Sequence, residues 1–216
     1  SFGRYVSPEV LNMILSHLED SWLKGIRSEA TILFTDVRGF TAFSETRDPE
    51  KIVGDLNEYF GIATELVLEY GGYVDKFIGD AVLGVFGVPI FHTDHAERAV
   101  KAAVAMQKKF QQRAEDNSNP LLSRIGIGIN TGVVVSGNLG SQVKMEYTVI
   151  GDSVNVASRL NSLAGSGEII ISKSIYELTK NMISVKPLPP QKLKGRSEPV
   201  EVFQLLDIKE GVNNTG

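Results

Sequence analysis

Residues 30–41 read ATILFTDVRGFT, a short apolar run followed directly by a carboxylate and a glycine turn. The run from Ala30 to Phe34 contains β-branched residues and predicts a buried β-strand. Asp36 would then lie at the end of this strand. The turn at Gly39 can direct backbone N–H groups at a phosphate while a neighbouring carboxylate binds a hard cation. An ordinary structural turn is the alternative interpretation when this segment is taken by itself.

The chain after this strand predicts a helix and then a β-hairpin. Asp48 and Pro49 have the residue types of a helix N-cap and a first helical position. Residues 73–88 contain two apolar runs separated by Gly79 and Asp80, which is a two-residue hairpin signal. Asp80 is therefore expected at a hairpin tip, as a second carboxylate beside the sheet. Two such carboxylates are what a two-metal phosphoryl-transfer site requires.

The second half of the chain predicts further helices and strands. Thr131 and Gly132 separate two strand-like runs, 124–130 and 133–139, and this pattern predicts a second hairpin. Other strands are expected over 145–150, 168–172 and 200–206, and helices over 92–113, 151–163 and 173–180. The order of strand, helix, hairpin, helix and hairpin is that of a ferredoxin-like βαββαβ core with C-terminal additions, in the α+β class.

Composition excludes several kinds of partner and site. The 216 residues include 22 Lys plus Arg and 26 Asp plus Glu, for a net charge of -4, which disfavours nucleic-acid binding. The absence of Cys excludes disulfides and thiolate metal sites and fits a reducing compartment, so a cytoplasmic location is expected. No run of about 18 to 20 apolar residues is present, and we expect no membrane contact by this chain. Tethering of a full-length protein through an upstream membrane domain is left open.

Three segments carry a resemblance to a known family. FTDVRGFT at 34–41, VDKFIGDAV at 74–82 and YTVIGDSVNVASRL at 147–160 resemble, in order and spacing, the class III adenylyl and guanylyl cyclase catalytic domain. The resemblance extends from about Glu29 to Leu206. It implies the nucleotide cyclase fold in a head-to-tail homodimer, with active sites at the interface. We accordingly divide the chain into a helical lead-in or linker over 1–27 from an upstream module, a catalytic domain over 28–208 and a disordered tail over 209–216.

The resemblance also implies the roles of individual residues, divided between the two protomers. One protomer supplies the metal ligands Asp36 and Asp80 for two Mg²⁺ or Mn²⁺ ions, the assisting backbone carbonyl of Val37, and a triphosphate cradle of Gly39, Phe40 and Thr41. The partner supplies Lys76 and Thr148 to bind the purine, Asn155 to orient the ribose and Arg159 to stabilise the pentavalent phosphorus. Asn155 and Arg159 are four residues apart and share one face of a helix.

Two basic positions are less well defined. Lys194 aligns with a family lysine that binds the terminal phosphates, and a basic surface turn explains it equally well. The family often has Arg at the position of Gly126, whereas this chain has Arg124 two residues earlier, on the same strand face. Whether Arg124 replaces the family residue is left open, and Arg124 is not included in the predicted site.

Substrate choice is predicted from Lys76 and Thr148. A Lys donor satisfies adenine N1 and a Thr hydroxyl can accept from the 6-amino group, whereas guanine would favour a carboxylate near N1–H. The combination of Lys76 and Thr148 resembles that of the Thr-type bacterial adenylyl cyclases, which have Thr in place of the commoner Asp. Members of that branch often respond to bicarbonate. We predict an adenylyl cyclase that converts ATP to 3′,5′-cyclic AMP and pyrophosphate in cyclic-nucleotide signalling. The alternatives are a guanylyl cyclase and a catalytically silent dimerisation or sensory module on the same fold.

Overall fold

The computed structural model describes residues 25–116, 119–140, 145–192 and 198–209. Eight strands lie in these ranges: β1 Ile26–Val37, β2 Tyr73–Ile78, β3 Ala81–Phe86, β4 Ile125–Gly140, β5 Met145–Ile150, β6 Ile169–Ser172, β7 Ile183–Pro187 and β8 Val202–Ile208. The helices there are α1 Phe40–Glu45, α2 Pro49–Glu69, α3 His95–Glu115, α4 Asp152–Leu163 and α5 Lys173–Thr179, with a 3₁₀ helix at Pro120–Arg124. None of the helices in these ranges is both long and apolar enough to cross a membrane.

The strands form one mixed sheet in the order β2-β3-β1-β4-β6-β8-β7, and β5 pairs with the second half of β4. The first four strands in this order are antiparallel neighbours, and α2 and α3 connect them as βαββαβ. Only β4 and β6 pair in parallel among the described strands. The predicted ferredoxin-like α+β core with C-terminal additions is confirmed.

The local signals around α2 and the β2–β3 hairpin are also confirmed. The side chain of Asp48 accepts a hydrogen bond from the backbone N–H of Glu50 over 2.9 Å, and Pro49 occupies the first helical position. This N-cap satisfies an otherwise unpaired donor. Gly79 has a φ of 62° in the turn between β2 and β3, a conformation that glycine adopts without steric cost. Asp80 therefore lies at the hairpin tip.

The predicted hairpin at Thr131-Gly132 is wrong, because β4 continues straight through these residues. It pairs with β1 from Ile26↔Ser136 to Val37↔Ile125 without interruption. Gly132 lies close to α4, since a Cβ there would lie 2.5 Å from Oγ of Ser153 at the start of that helix. The hairpin instead joins β4 to β5, through residues 141–144, which lie outside the described ranges.

Other predictions differ at the boundaries. β1 begins at Ile26, inside the predicted lead-in, and strand β7 was not predicted. Residues 1–24 of the lead-in, residues 210–216 of the predicted tail and Lys194 lie outside the described residues.

The two faces of the sheet carry different helices. On one face, Leu33 of β1 packs in a large apolar cluster with residues of α2 and α3, such as Tyr59 and Ala99. On the other face, Ile32 and Phe34 pack with Ala157 of α4 and with β5. Because side chains alternate along a strand, Asp36 follows Phe34 on the face that α4 covers. The end of β1 thus directs a carboxylate toward α4.

Candidate active site

Two carboxylates lie where β1 meets the β2–β3 hairpin. Asp36 is the penultimate residue of β1, and Asp80 lies in the two-residue turn. The backbone N–H of Val37 donates a hydrogen bond to Oδ2 of Asp80 over 3.0 Å, which holds the hairpin tip against the end of β1. We call this pair of aspartates the carboxylate end of the site.

The carboxylate end concentrates negative charge. Burial is the largest cause of a raised pKa for Asp36; the guanidinium of Arg38 opposes it, and the charge of Asp80 adds to it. Nη2 of Arg38 lies 2.5 Å from Oδ1 of Asp36. A bound cation would offset both the desolvation of the carboxylate and the repulsion between the two aspartates.

The donor set fits divalent cations that arrive with a nucleotide. The described residues contain no cluster of three or more His, Cys, Asp or Glu that could enclose an ion. Mg²⁺ is commonly held by only one or two protein carboxylates, with waters and substrate phosphates completing the shell. Asp36, Asp80 and the carbonyl of Val37 would provide such a partial set of hard oxygen ligands.

A cleft of about 530 Å³ opens beside the carboxylate end, within the size range of small-molecule sites. It lies between the end of β1, the β2–β3 hairpin, β5 and α4. Five predicted residues line it: Asp36, Lys76, Asp80, Thr148 and Asn155. The apolar residues Phe34, Leu83 and Val149 also line it. The cleft therefore combines a charged end with apolar walls, as a nucleotide with a flat base requires.

Not every predicted residue lines this cleft in one chain. Arg159 lies one turn beyond Asn155 on α4, half-buried, and its Nη1 is buried without a hydrogen-bond partner among the described residues. Gly39, Phe40 and Thr41 follow the carboxylate end in sequence, with Gly39 at a φ of 65° before α1, but are absent from the cleft lining.

The far end of the cleft is formed by β2 and β5. Nζ of Lys76 lies 3.9 Å from Oε2 of Glu146, and Oγ1 of Thr148 donates a hydrogen bond to Oδ2 of Asp75 over 2.7 Å. Sequence analysis did not predict a role for Asp75. Burial raises the pKa of Asp75, while the hydrogen bond from Thr148 and the charge of Lys76 oppose that rise.

The whole described domain matches a known family. The model of the family described as the adenylate and guanylate cyclase catalytic domain matches residues 25–207. The chain belongs to this family.

Curated relatives of this cyclase domain include adenylate cyclases. Adenylate cyclase 1 of Rhizobium meliloti is 32% identical over 219 residues, covering 100% of this chain and 33% of the relative. The adenylate cyclase of Anabaena cylindrica is 33% identical over 218 residues, covering 95% of this chain and 42% of the relative. The chain thus spans less than half the length of these two curated relatives.

Solved structures of both substrate classes resemble this cyclase domain. The adenylyl cyclase CyaB from P. aeruginosa is 38% identical with a TM-score of 0.80, over 88% of this chain and 100% of that one. The guanylyl cyclase Cya2 is 37% identical with a TM-score of 0.78, over 88% of this chain and 97% of that one. Overall similarity therefore does not distinguish ATP from GTP.

Arg38 and Asn161 join α4 of the cyclase domain to the sheet, and sequence analysis missed both. Arg38 donates from Nη1 to the carbonyl of Asn161 over 3.0 Å and from Nη2 to its Oδ1 over 2.9 Å. The side-chain amide of Asn161 donates to the carbonyls of Phe34 and Gly126 over 3.1 and 3.0 Å. A Cβ at Gly128 would lie 2.1 Å from the backbone N of Asn161. Glycines in β4, such as Gly128, therefore mark the place where α4 packs closely against the sheet.

Arg124 lies beside the turn that follows the carboxylate end. Its Nη1 donates to the carbonyl of Arg38 over 3.5 Å, and its guanidinium lies 5.1 Å from the ring centre of Phe43. The same Nη1 lies 3.6 Å from the position that a Cβ would take at Gly39. A Cβ at residue 126 would lie 3.1 Å from Nε of Arg38 and 3.2 Å from Ala164, so a side chain there would crowd both residues.

Proposed function

We propose that this cyclase domain converts ATP to 3′,5′-cyclic AMP and pyrophosphate. The observation that carries the proposal is the convergence of Asp36, Asp80, Lys76, Thr148 and Asn155 on one cleft. These residues come from β1, a hairpin, β5 and a helix, and a module without catalysis has no physical need for all of them in one place. The printed names of the adenylate cyclase relatives support the same activity.

The proposed reaction is an intramolecular phosphoryl transfer. The ribose 3′-oxygen attacks the α-phosphorus, the 3′-hydroxyl proton is lost, and the bond from the α-phosphorus to the bridging oxygen of pyrophosphate breaks. No group of the protein becomes covalently modified. Catalysis then depends on orienting the ribose and stabilising charge on the phosphates.

The carboxylate end would hold two Mg²⁺ or Mn²⁺ ions through Asp36, Asp80 and the carbonyl of Val37. When bound, such ions lower the pKa of a coordinated hydroxyl and neutralise phosphate charge. The phosphates could then be bound by Arg124 and by the backbone N–H groups of Gly39, Phe40 and Thr41. The three N–H groups follow the carboxylate end in sequence, and Nη1 of Arg124 lies 3.6 Å from the position that a Cβ would take at residue 39. Lys194 stays part of this proposal as a further phosphate ligand.

The other end of the cleft, formed by Lys76 and Thr148, would bind the purine of the nucleotide whose phosphates lie at the carboxylate end of the partner protomer, and we call it the base end. Lys76 supplies only donors and suits adenine N1, which is an acceptor. Guanine has an N1–H donor at this position, which would face the donors of Lys76 without an acceptor between them. The base end therefore supports ATP as the substrate, although solved relatives include enzymes named for either nucleotide.

Asn155 and Arg159 on α4 complete the proposed site. Asn155 would orient the ribose from the cleft wall. Arg159, whose Nη1 lacks a partner among the described residues, would stabilise charge on the phosphorus. Both residues would act on the nucleotide whose phosphates lie at the carboxylate end of a second protomer.

In a head-to-tail homodimer, the carboxylate end of one protomer would face the base end and α4 of its partner, so that each nucleotide is bound by both chains. Large apolar side chains at the cleft are exposed in the single chain, with Leu139 at 58%, Ile78 at 51% and Ile150 at 50%. Such a patch around a cleft marks an interaction surface. We further propose that the dimer acts in cytoplasmic cyclic-nucleotide signalling. The Thr-type resemblance predicts stimulation by bicarbonate, which turnover with and without bicarbonate at fixed pH would test.

The experiment is product analysis with purified protein at high concentration, Mn²⁺, and either ATP or GTP. We expect cyclic AMP from the wild type and none detectable from Asp80→Ala. Asp116→Ala serves as the matched control, because Asp116 is an exposed residue at the end of α3. Cyclic GMP as the main product would indicate a guanylyl cyclase, and no product from a demonstrated dimer would indicate a silent module.

A further inference from the structure

The hydroxyl group of Thr148 already uses its only donor. Oγ1 of Thr148 donates to Oδ2 of Asp75 over 2.7 Å, and Thr148 is only 6% exposed although it lines the cleft. A hydroxyl has one donor and two acceptor lone pairs. With its hydrogen directed at Asp75, Oγ1 can offer a ligand only an acceptor.

The backbone fixes Asp75 in the position that creates this arrangement. The pairing of β2 with β3 shifts register between Val74 and Lys76, so that Asp75 is the extra residue of a β-bulge. A bulge redirects side chains relative to a regular strand. Here it allows the adjacent residues Asp75 and Lys76 both to contact β5, at Thr148 and Glu146.

The surroundings of Asp75 favour one direction for the hydrogen bond. The hydroxyl of Thr148 donates to the carboxylate of Asp75, and the backbone N–H of Val149 also opposes the rise in the pKa of Asp75. Oδ1 of Asp75 is buried without a partner among the described residues. The carboxylate of Asp75 therefore acts as an acceptor toward β5 and takes the hydrogen of the Thr148 hydroxyl.

We propose that Asp75 is a positioning residue that sets purine specificity by holding the hydroxyl of Thr148 as an acceptor. The inference rests on the proposed function, because it concerns the base end of the same site. An acceptor suits the 6-amino group of adenine and leaves the 6-carbonyl oxygen of guanine or hypoxanthine unpaired. A buried acceptor without a donor costs affinity, so the wrong base is rejected.

The test compares ATP with inosine triphosphate, which carries a carbonyl at position 6 of the purine. The variant Asp75→Leu removes the acceptor, and Asp75→Ala does so with less bulk if the leucine variant does not fold. We expect either variant to lower the ratio of kcat/KM for ATP to that for inosine triphosphate by about fivefold to tenfold, the effect of one hydrogen bond. The change should lie mainly in KM.

Two controls separate positioning from general structural damage. Asp75→Asn keeps a carbonyl oxygen that can accept from the hydroxyl of Thr148 and should retain the wild-type ratio. In a Thr148→Val background, Asp75→Leu should leave the ratio unchanged, because no hydroxyl remains to be positioned.

The outcomes also separate this inference from the proposed function. A wild-type protein that forms no cyclic nucleotide would contradict the proposed function itself. An active wild type whose ratio is unaltered by both Asp75→Leu and Asp75→Ala would overturn only the role of Asp75. A ratio that falls equally with and without the Thr148 hydroxyl would overturn it as well.

Discussion

The two ends of the cleft are held by different kinds of interaction. At the carboxylate end, Asp36 and Asp80 are positioned by the backbone, through a strand end, a two-residue turn and the hydrogen bond from the N–H of Val37. At the base end, Thr148 takes its orientation from the side chain of Asp75. We infer that changes at the carboxylate end affect the chemical step, whereas changes at the base end affect substrate affinity and choice.

The largest effect is expected at the carboxylate end. Asp36→Asn removes a charge that would hold cations at the reacting phosphates, so kcat should fall by about a hundredfold or more, the usual cost of losing an electrostatic contact to the transition state. The melting temperature should not fall, because burial and the charge of Asp80 outweigh the ion pair with Arg38 and raise the pKa of this half-buried carboxyl, which favours its neutral form. Steady-state kinetics with Mn²⁺ and thermal melting measure both, with Asp116→Asn as the control. A normal kcat would contradict the assignment.

A smaller effect of a different kind is expected at the base end. Lys76→Met keeps much of the side-chain length but removes the donor for adenine N1. KM for ATP should rise by about tenfold, as for a hydrogen bond to a charged group, with a smaller change in kcat. Lys51→Met, at an exposed position of α2, is the matched control. A loss confined to kcat would contradict the inference that the base end acts on substrate affinity.

The smallest effect is expected far from both ends. Nδ1 of the buried His95 lies 2.7 Å from Oγ1 of Thr31, and burial lowers the pKa of His95 although the charge of Glu29 opposes this. The unfolded chain then binds more protons than the folded one just below the ordinary histidine pKa. Stability should therefore decrease as the pH falls through about 6.5.

This prediction is measured as the free energy of unfolding at pH 7.5 and pH 5.5. His95→Asn should reduce the difference between the two values by about 1 kcal/mol or less. The ratio of activities with ATP and GTP should not change with this variant. An identical pH dependence in wild type and variant would remove His95 as its cause.

The fold could be predicted from the sequence where the signal is local, and not where it depends on contacts between distant elements. Gly79-Asp80 was correctly identified as a turn because both flanking strands and the turn residues are contiguous. Thr131-Gly132 has a similar local pattern, yet β4 continues through it in pairing with β1, and Ser153 of α4 approaches Gly132. A local pattern does not contain this contact, which joins residues 21 positions apart across two elements.

The site shows the same limit. Asp36, Asp80, Lys76, Thr148 and Asn155 stand in contiguous motifs, and the structure brings them to one cleft. Asp75 stands in one of these motifs as well, but its partner is 73 residues away, and its role depends on a β-bulge that no composition signal marks. The contacts of Arg38 with Asn161 join residues 123 positions apart and were missed for the same reason.

Mixing two inactive variants tests directly whether the active site is shared between two protomers. Asp36→Ala lacks the carboxylate end and Arg159→Ala lacks a residue that a second protomer would supply, so a heterodimer of the two contains one intact composite site. With random pairing at equal concentrations, we predict recovery of about a quarter of the wild-type rate of cyclic AMP formation. Two variants that stay inactive when mixed, although heterodimers are demonstrated, would contradict an active site shared between protomers.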